Sequence, residues 1–479
     1  MTMNHSNAPS NKSSIRTALL LPTPFIYATL FNGRYIDDSY ITLAYVRTLT
    51  KYHVWGMAAD HLSNAATSAL DIILLSIFAI IFRSPTAALY FFNVTLIFVT
   101  YFSLRRIGQL VDAKSDWPVI ATALLFSNPL LVSTLGLESY LFLIVLLGLC
   151  ITFAERRFVS TGFLVGMLYM TRPEGALAGF VVLAMLLYRR DWRGLVFILP
   201  AATVFLAWSI FSWTYLGSVV PDTFFLKRNQ ASWEGYSYFK GLYLYLSSFP
   251  IATLLSFFWI AALPLAITDL DYRRNPVVPL LAIFTVAHFV AYSALGVPPY
   301  HWYYAPEAAF VTLIGSLALS NRLRSNVKLH SAFFLCIVAI NVGTTFISTV
   351  LMDRVPIQTN WGTVAEYKAI AQWLNGHIQN RRIFLQGELG VLQYYADADM
   401  IDSFSDRKFI AALLDSNSSP LKREILRLNF RHATPLVTND IQLTIGTCDR
   451  VEGAIRTWET TSPWRGRHQW CLIGTDTHP

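Results

Sequence analysis

Long apolar runs separated by short polar breaks repeat along the first three quarters of the chain. A helix that crosses a bilayer needs roughly 20 apolar residues. On that measure the candidate spans are 17–31, 86–104, 118–135, 140–153, 159–170, 176–188, 194–216, 242–267, 277–295, 308–319 and 329–352. The pattern predicts a polytopic α-helical membrane protein with about eleven transmembrane helices. Two more stretches fit juxtamembrane helices. From Asp38 onward, Ile41, Ala44, Tyr45, Thr48, Leu49 and Tyr52 recur at the spacing of one helix face. Arg47 and Lys51 fall on the other face, and Asp38 stands where an N-cap belongs. The second stretch, 66–82, is apolar but follows a polar run and contains Asp71.

Past Met352 the hydropathy falls, and 353–479 reads as a soluble domain following a membrane domain of 1–352. Its pattern predicts helices at 364–377, 388–395, 407–415 and 422–428, with strands at 382–386, 400–404 and 435–438. Alternation of this kind points to a small α/β domain.

Charge decides how 66–82 is read. Basic clusters lie at Arg105-Arg106, Arg156-Arg157, 189–193, Arg273-Arg274 and 322–328. If 66–82 crossed the membrane, they would emerge on the outer side. If it lies in the interface, all five face the cytoplasm with the N-terminus, as the positive-inside bias requires. The connection 33–85 is therefore predicted to be external, and the soluble domain with it. Composition agrees. The chain is 54% hydrophobic and 14% charged, where soluble proteins carry about 25% charge. Its net charge of +8 sits largely in the clusters, and no nucleic-acid-binding module is visible. The first span lacks a clear cleavage site and reads as a retained anchor. Of four cysteines, Cys448 and Cys471 fall in the outer, oxidising compartment and are expected to pair, against the alternative of two buried thiols. Cys150 and Cys336 lie in spans as packing residues.

The predicted outer face gathers Asp37, Asp38, Glu138, Arg172, Glu174, Asp222, Lys227, Arg228, His301 and many aromatics. Two adjacent acids at a membrane edge suggest a base, a metal ligand or a charge sensor. No glycine-rich nucleotide loop is present, and the outer face lacks soluble ATP, so the natural activated reagents there are lipid-linked. Sugar transfer from a polyprenyl phosphate uses such residues. A carboxylate takes the proton of the acceptor hydroxyl and steadies an oxocarbenium-like transition state. The leaving lipid phosphate needs basic donors, for which Arg172, Lys227, Arg228 and His301 are candidates. Each has a blander reading. Lys227 and Arg228 could be headgroup contacts, His301 a structural histidine, and Glu138 a charge at a helix start. Trp302, Tyr303 and Tyr304 could stack on sugars or belt the interface. Asp37 and Asp38 could also share a divalent cation, although a monophosphate leaving group does not demand one. A lipid-linked sugar carrier is the non-enzyme alternative, but it would hold its polar groups near the midplane.

The run Tyr35-Ile36-Asp37-Asp38-Ser39-Tyr40-Ile41-Thr42 with Tyr45, then His53-Val54-Trp55-Gly56, resembles the first external loop of polyprenyl-phosphate-dependent glycosyltransferases of the GT-C superfamily. The resemblance is to bacterial arabinofuranosyltransferases of the mycobacterial terminal β and pilin types. Gly136-Leu137-Glu138-Ser139, Thr171-Arg172-Pro173-Glu174-Gly175, Pro221-Asp222-Thr223-Phe224-Phe225-Leu226-Lys227 and Tyr303-Tyr304-Ala305-Pro306 follow in order. So do Gly387-Glu388-Leu389-Gly390-Val391 with Tyr394-Tyr395, and Met400-Ile401-Asp402. The resemblance implies an inverting transferase in the bacterial inner membrane, its N-terminus cytoplasmic and its C-terminal domain periplasmic. The catalytic acid would be Asp37 or Asp38. The donor would be a polyprenyl-phosphate sugar, with arabinofuranose ahead of glucose or mannose, and the acceptor a glycan or a protein.

Overall fold

The computed structural model describes residues 22–474 apart from 231, 234, 270–274, 379–381, 397, 417–418, 436–440, 442 and 449–452. Residues 17–21 of the first span, the Arg273-Arg274 cluster and most of the 435–438 strand fall outside the described residues. Among those described, five helices are long and apolar enough to cross a membrane: Pro85–Leu110, Trp192–Leu216, Pro250–Thr268, Val277–Leu295 and Val327–Leu351. Shorter apolar helices join them at Trp117–Ser127, Ser139–Ala154, Phe158–Thr171 and Pro173–Tyr188. The chain is a multi-pass helical membrane protein with a strand-containing C-terminal domain.

Two expected spans are broken. The 118–135 run stops at Ser127, because Pro129 cannot continue the helix. Asn128 then caps a short new turn by accepting from the Leu130 and Leu131 N–H groups, at 3.1 and 3.2 Å. Its amide donates to the Ser256 carbonyl at 2.9 Å, and Ser256 Oγ accepts from Leu130 N–H at 2.8 Å. The 242–267 run is likewise split at Phe249-Pro250. Backbone freed inside an apolar bundle needs such partners; Ser256 supplies them at the first break, and Thr253 Oγ1, donating to the Tyr245 and Phe249 carbonyls at 3.0 and 2.9 Å, does so at the second. The Ala305–Arg322 helix lies between, buried on most sides.

The 66–82 stretch folds as a helix, Ala69–Phe82, of 14 residues. At about 1.5 Å per residue this falls well short of the roughly 30 Å hydrocarbon core. Ile77, Ile80 and Ile81 are exposed on one side while Asp71, Ile72 and Leu75 are buried on the other. The first juxtamembrane helix is Asp37–Tyr52. Its N-cap is Ile36 rather than Asp38, with no side-chain cap. Asp37 and Asp38 occupy the first turn instead, where carboxylates favour the helix dipole. The helix stops at His53, whose φ of 59° is left-handed.

In the C-terminal domain the Val364–His377 helix has the expected bounds and opens on a capping box between Thr363 and Glu366. One five-stranded sheet has the order β2-β1-β3-β5-β4, with β1 Arg382–Gln386, β2 Asp399–Ile401, β3 Leu443–Thr447, β4 Ala454–Ser462 and β5 Gly466–Gly474. β1 runs parallel to β2 and β3, and β5 antiparallel to β3 and β4. The last three strands were not expected from the pattern. Their signal is a β-branched and aromatic run on each side of a turn at Gly466, whose φ is 80°. Cys448 and Cys471 are disulfide-bonded, with Cα atoms 5.9 Å apart.

Candidate active site

The start of the Asp37–Tyr52 helix is held by the C-terminal domain. Asp37 is buried, and its two carboxylate oxygens accept from the backbone N–H groups of Gly390 and Val391, both at 2.8 Å. These open a single short helix, Gly390–Tyr395. Arg47, three turns further along, donates to the carbonyls of Gln393 and Tyr394 at the other end of that helix, at 3.0 and 2.7 Å. An acid thus meets the short helix at its N-terminus and a base at its C-terminus, both matching its dipole. The two backbones touch. A Cβ at Gly390 would run into the Asp37 carbonyl. Burial pushes the Asp37 carboxyl up to about 7, with the Val391 N–H pulling down and the Asp38 charge pushing further up.

Asp38 takes the other role. It is half-buried and lines a cavity of about 370 Å³, of mixed polar and apolar lining, between the membrane bundle and the C-terminal domain. Glu138 and Lys227 line it from the membrane side, and Asn360, Trp361, Glu388, Asp402, Trp464 and Arg465 from the C-terminal domain. Burial raises the Asp38 carboxyl, and the charge of Lys227 pulls it back down. Gly136, at a φ of 85°, brings the Glu138 loop against the helix start. An added Cβ there would lie 2.8 Å from Ser39 Oγ.

Lys227 stands on the short helix Asp222–Gln230. Its ammonium lies 4.7, 5.6 and 5.7 Å from the ring centres of Tyr300, Trp302 and Tyr303, within cation–π range. It has no ion pair within 4 Å among the described residues. Lys227 also lines a second cavity of about 320 Å³ that shares Glu138, Thr223 and Trp302 with the first. This second space is mostly apolar and runs past Leu177, Phe180, Phe224 and Leu295. Phe180 and Leu295 are exposed on the outside of the bundle, so the groove reaches the lipid-facing side.

Other residues expected at the site are placed differently. Arg172 does not line the first cavity; it borders the apolar groove, and its donors are engaged. It pairs with Glu138 at 3.0 Å, with Glu174, and with the Tyr292 hydroxyl at 3.0 Å. Glu138 does not cap its helix but serves this pair. Asp222 is buried away from both cavities and accepts from Arg407 Nε at 2.8 Å and Ser218 Oγ at 2.9 Å. Arg228 is exposed outside them. His301 is fully enclosed, faces the Ser133 carbonyl at 3.2 Å, and burial pushes it down to about 4. It is a neutral structural imidazole. Tyr304 stacks on Tyr238 at 4.4 Å, within the bundle.

Residues missed by site reasoning come from the C-terminal domain. Glu388 accepts from Asn360 at 2.9 Å, from the Trp361 N–H at 3.0 Å and from Tyr367. Asp402 is pushed up to about 6 by burial, against hydrogen bonds from Ser405. Glu388 lies in the Gly387–Val391 motif and Asp402 in the Met400-Ile401-Asp402 run already noted, which mark the stretches but not the side chains that reach the cavity. Among the described residues no group of three His, Cys, Asp or Glu side chains could hold a metal ion.

No protein-family model matches the chain, and no curated relative matches it. Solved structures do. ArnT from Cupriavidus metallidurans in the apo state superposes with a TM-score of 0.61 at 14% identity, covering 97% of this chain and 98% of that one. The same protein bound to undecaprenyl phosphate gives 0.56 at 12%, covering 98% and 100%. The oligosaccharyltransferase from Archaeoglobus fulgidus gives 0.57 at 12%, covering 92% and 70%. The arabinofuranosyltransferase AftD from mycobacteria gives 0.51 at 14%, covering 98% of this chain but 40% of that one. The chain shares its fold with these structures.

Proposed function

We propose that this chain is an inverting glycosyltransferase that takes its sugar from a polyprenyl phosphate on the extracytoplasmic face of the bacterial inner membrane. The observation that carries the reading is the meeting of two cavities at one cation. A chamber holding acids and other polar side chains opens at Lys227 onto a more apolar groove that reaches the lipid side. An amphiphile with a long apolar tail, a phosphate and a sugar has that order of parts. The tail lies in the groove, the phosphate meets Lys227 and the sugar enters the chamber.

Asp38 is the base. It takes the proton of the acceptor hydroxyl as that oxygen bonds to the anomeric carbon. The bond from that carbon to the phosphate oxygen breaks on the opposite face, which inverts the anomer. Lys227 steadies the charge that builds on the lipid phosphate. Asp37 is a positioning residue. The transferred sugar is arabinofuranose, supported by the sequence resemblance and the similarity to AftD. The acceptor is a cell-envelope glycan or protein. We place the boundary between the membrane and periplasmic parts at 352/353, with the N-terminus cytoplasmic.

The test is transfer of labelled arabinofuranose from its decaprenyl or undecaprenyl phosphate by the purified chain. Asp38→Asn should lower the rate by about two orders of magnitude or more, the usual weight of a general base. Unchanged rates would remove the mechanism. A donor panel with glucose and mannose tests the sugar, and absence of any glycosidic product would favour a carrier.

A further inference from the structure

The C-terminal domain carries one helix with no buried residue, Pro420–Asn429. Leu421, Ile425 and Leu428 form a single row along it at i, i+4, i+7 and are 72, 57 and 50% exposed. A soluble domain has no reason to show such a row to water. Its position explains it. The Trp213 indole donates to the Leu428 carbonyl at 2.8 Å. The Val219 and Val220 N–H groups reach Asn429 Oδ1 at 3.1 and 3.3 Å. Phe430 packs on Phe225 with ring centres 5.1 Å apart. The C-terminal end of the helix is therefore bolted to the end of the Trp192–Leu216 membrane helix. That helix shows Ile210, Phe211 and Tyr215 to the outside. The apolar row continues the lipid-facing belt. Lys422 and Arg431 are exposed beside it and make no ion pair among the described residues.

We propose that the Pro420–Asn429 helix is a membrane foot. Its leucine and isoleucine row dips between lipid headgroups, and its flanking cations meet anionic ones. Short basic amphipathic helices bind interfaces in this way, with each cation near an anionic surface adding to the attraction. The foot stands beside Pro221 and Phe224, where the apolar groove opens. The proposal rests on the membrane fold and not on the reaction.

The test uses the full chain with Cys336→Ser, because Cys336 is exposed and would react. Ile425→Cys carries an environment-sensitive fluorophore in nanodiscs of phosphatidylcholine with or without phosphatidylglycerol. Glu459→Cys, on the exposed face of β4, is the control. The expected result is a blue-shifted emission at 425, and about a two-fold loss of it with a shallow spin-labelled lipid, strongest with phosphatidylglycerol. The control should stay water-like. Water-like emission at 425 in both lipids overturns the proposal. Disulfide cross-linking of Ile425→Cys between two copies would assign the row to a second copy and overturn it too. Equal quenching with and without phosphatidylglycerol, or no change in Lys422→Gln, removes the electrostatic part.

Discussion

Lys227 lies among three aromatic rings and not against a carboxylate oxygen. A cation held by ring faces keeps its hydrogen-bond donors free for an arriving anion, which an ion-paired one such as Arg172 cannot do. The same charge keeps Asp38 from rising as far as burial alone would take it. Lys227→Gln should act in two ways. The donor KM should rise, because the phosphate loses its cation. The Asp38 pKa should rise further, and a base works only when ionised, so the acidic limb of the kcat/KM profile should move to higher pH. An unmoved limb would show that Asp38 is not the titrating group. The residue types at the site were legible where the external loops met the cavity, as for Asp38, Glu138 and Lys227. They were not legible where the same side of the membrane is used for packing. Asp222, His301 and Tyr304 have the right chemistry and the right face, but their side chains point into hydrogen bonds and stacks that only the folded bundle creates.

At the scale of elements, the joint between the Asp37–Tyr52 and Gly390–Tyr395 helices governs the site. Its geometry leaves no room for a methyl group at Gly390. Gly390→Ala should separate the two helices and loosen both Asp37 hydrogen bonds. Asp37→Ala should leave two buried N–H groups unsatisfied, at about 1–3 kcal/mol. Both should lower the thermal midpoint and raise protease sensitivity near residue 353, with activity falling in parallel. A Gly390→Ala chain as stable and active as wild type would contradict the close approach. The amphipathic stripe of the first juxtamembrane helix was readable from its spacing. The partner of its charged side was not, because Arg47 meets carbonyls about 350 residues away, and pairing at that distance leaves no local pattern. The same limit hid Glu388 and Asp402. They reach the cavity only once β1 and β2 are set in one sheet with three strands that the pattern reading passed over.

For the molecule as a whole, the long apolar helices and the change of character near residue 352 are plain in the hydropathy. The breaks at Asn128-Pro129 and Phe249-Pro250 are not, since broken and continuous apolar runs read alike in hydropathy. Two predictions belong here. Cysteines placed singly at Arg106 and Arg193 should resist an impermeant thiol reagent in intact cells, while one at Glu459 should react. Labelling at all three alike would overturn the assigned sidedness. Cys448→Ser opens a loop with a sequence separation of 23. It should cost about 3 kcal/mol of stability in the C-terminal domain by the chain-entropy argument, seen as a lower midpoint that reducing agent reproduces in the wild type. An unchanged midpoint would mean that the sheet alone holds the loop.

The grip of Gly390 and Val391 on Asp37 also says something about how the molecule can be divided. On the proposed mechanism the base is the very next residue, so its aim is set from the far end of the polypeptide. A fragment stopping after the last membrane helix would insert and keep its lipid groove, yet leave Asp38 on an unbraced helix start. Adding the missing portion as a separate chain should restore turnover only where the two pieces dock. On that mechanism the membrane half and the domain after it are one catalyst supplied in two stretches of sequence, not an enzyme with an accessory.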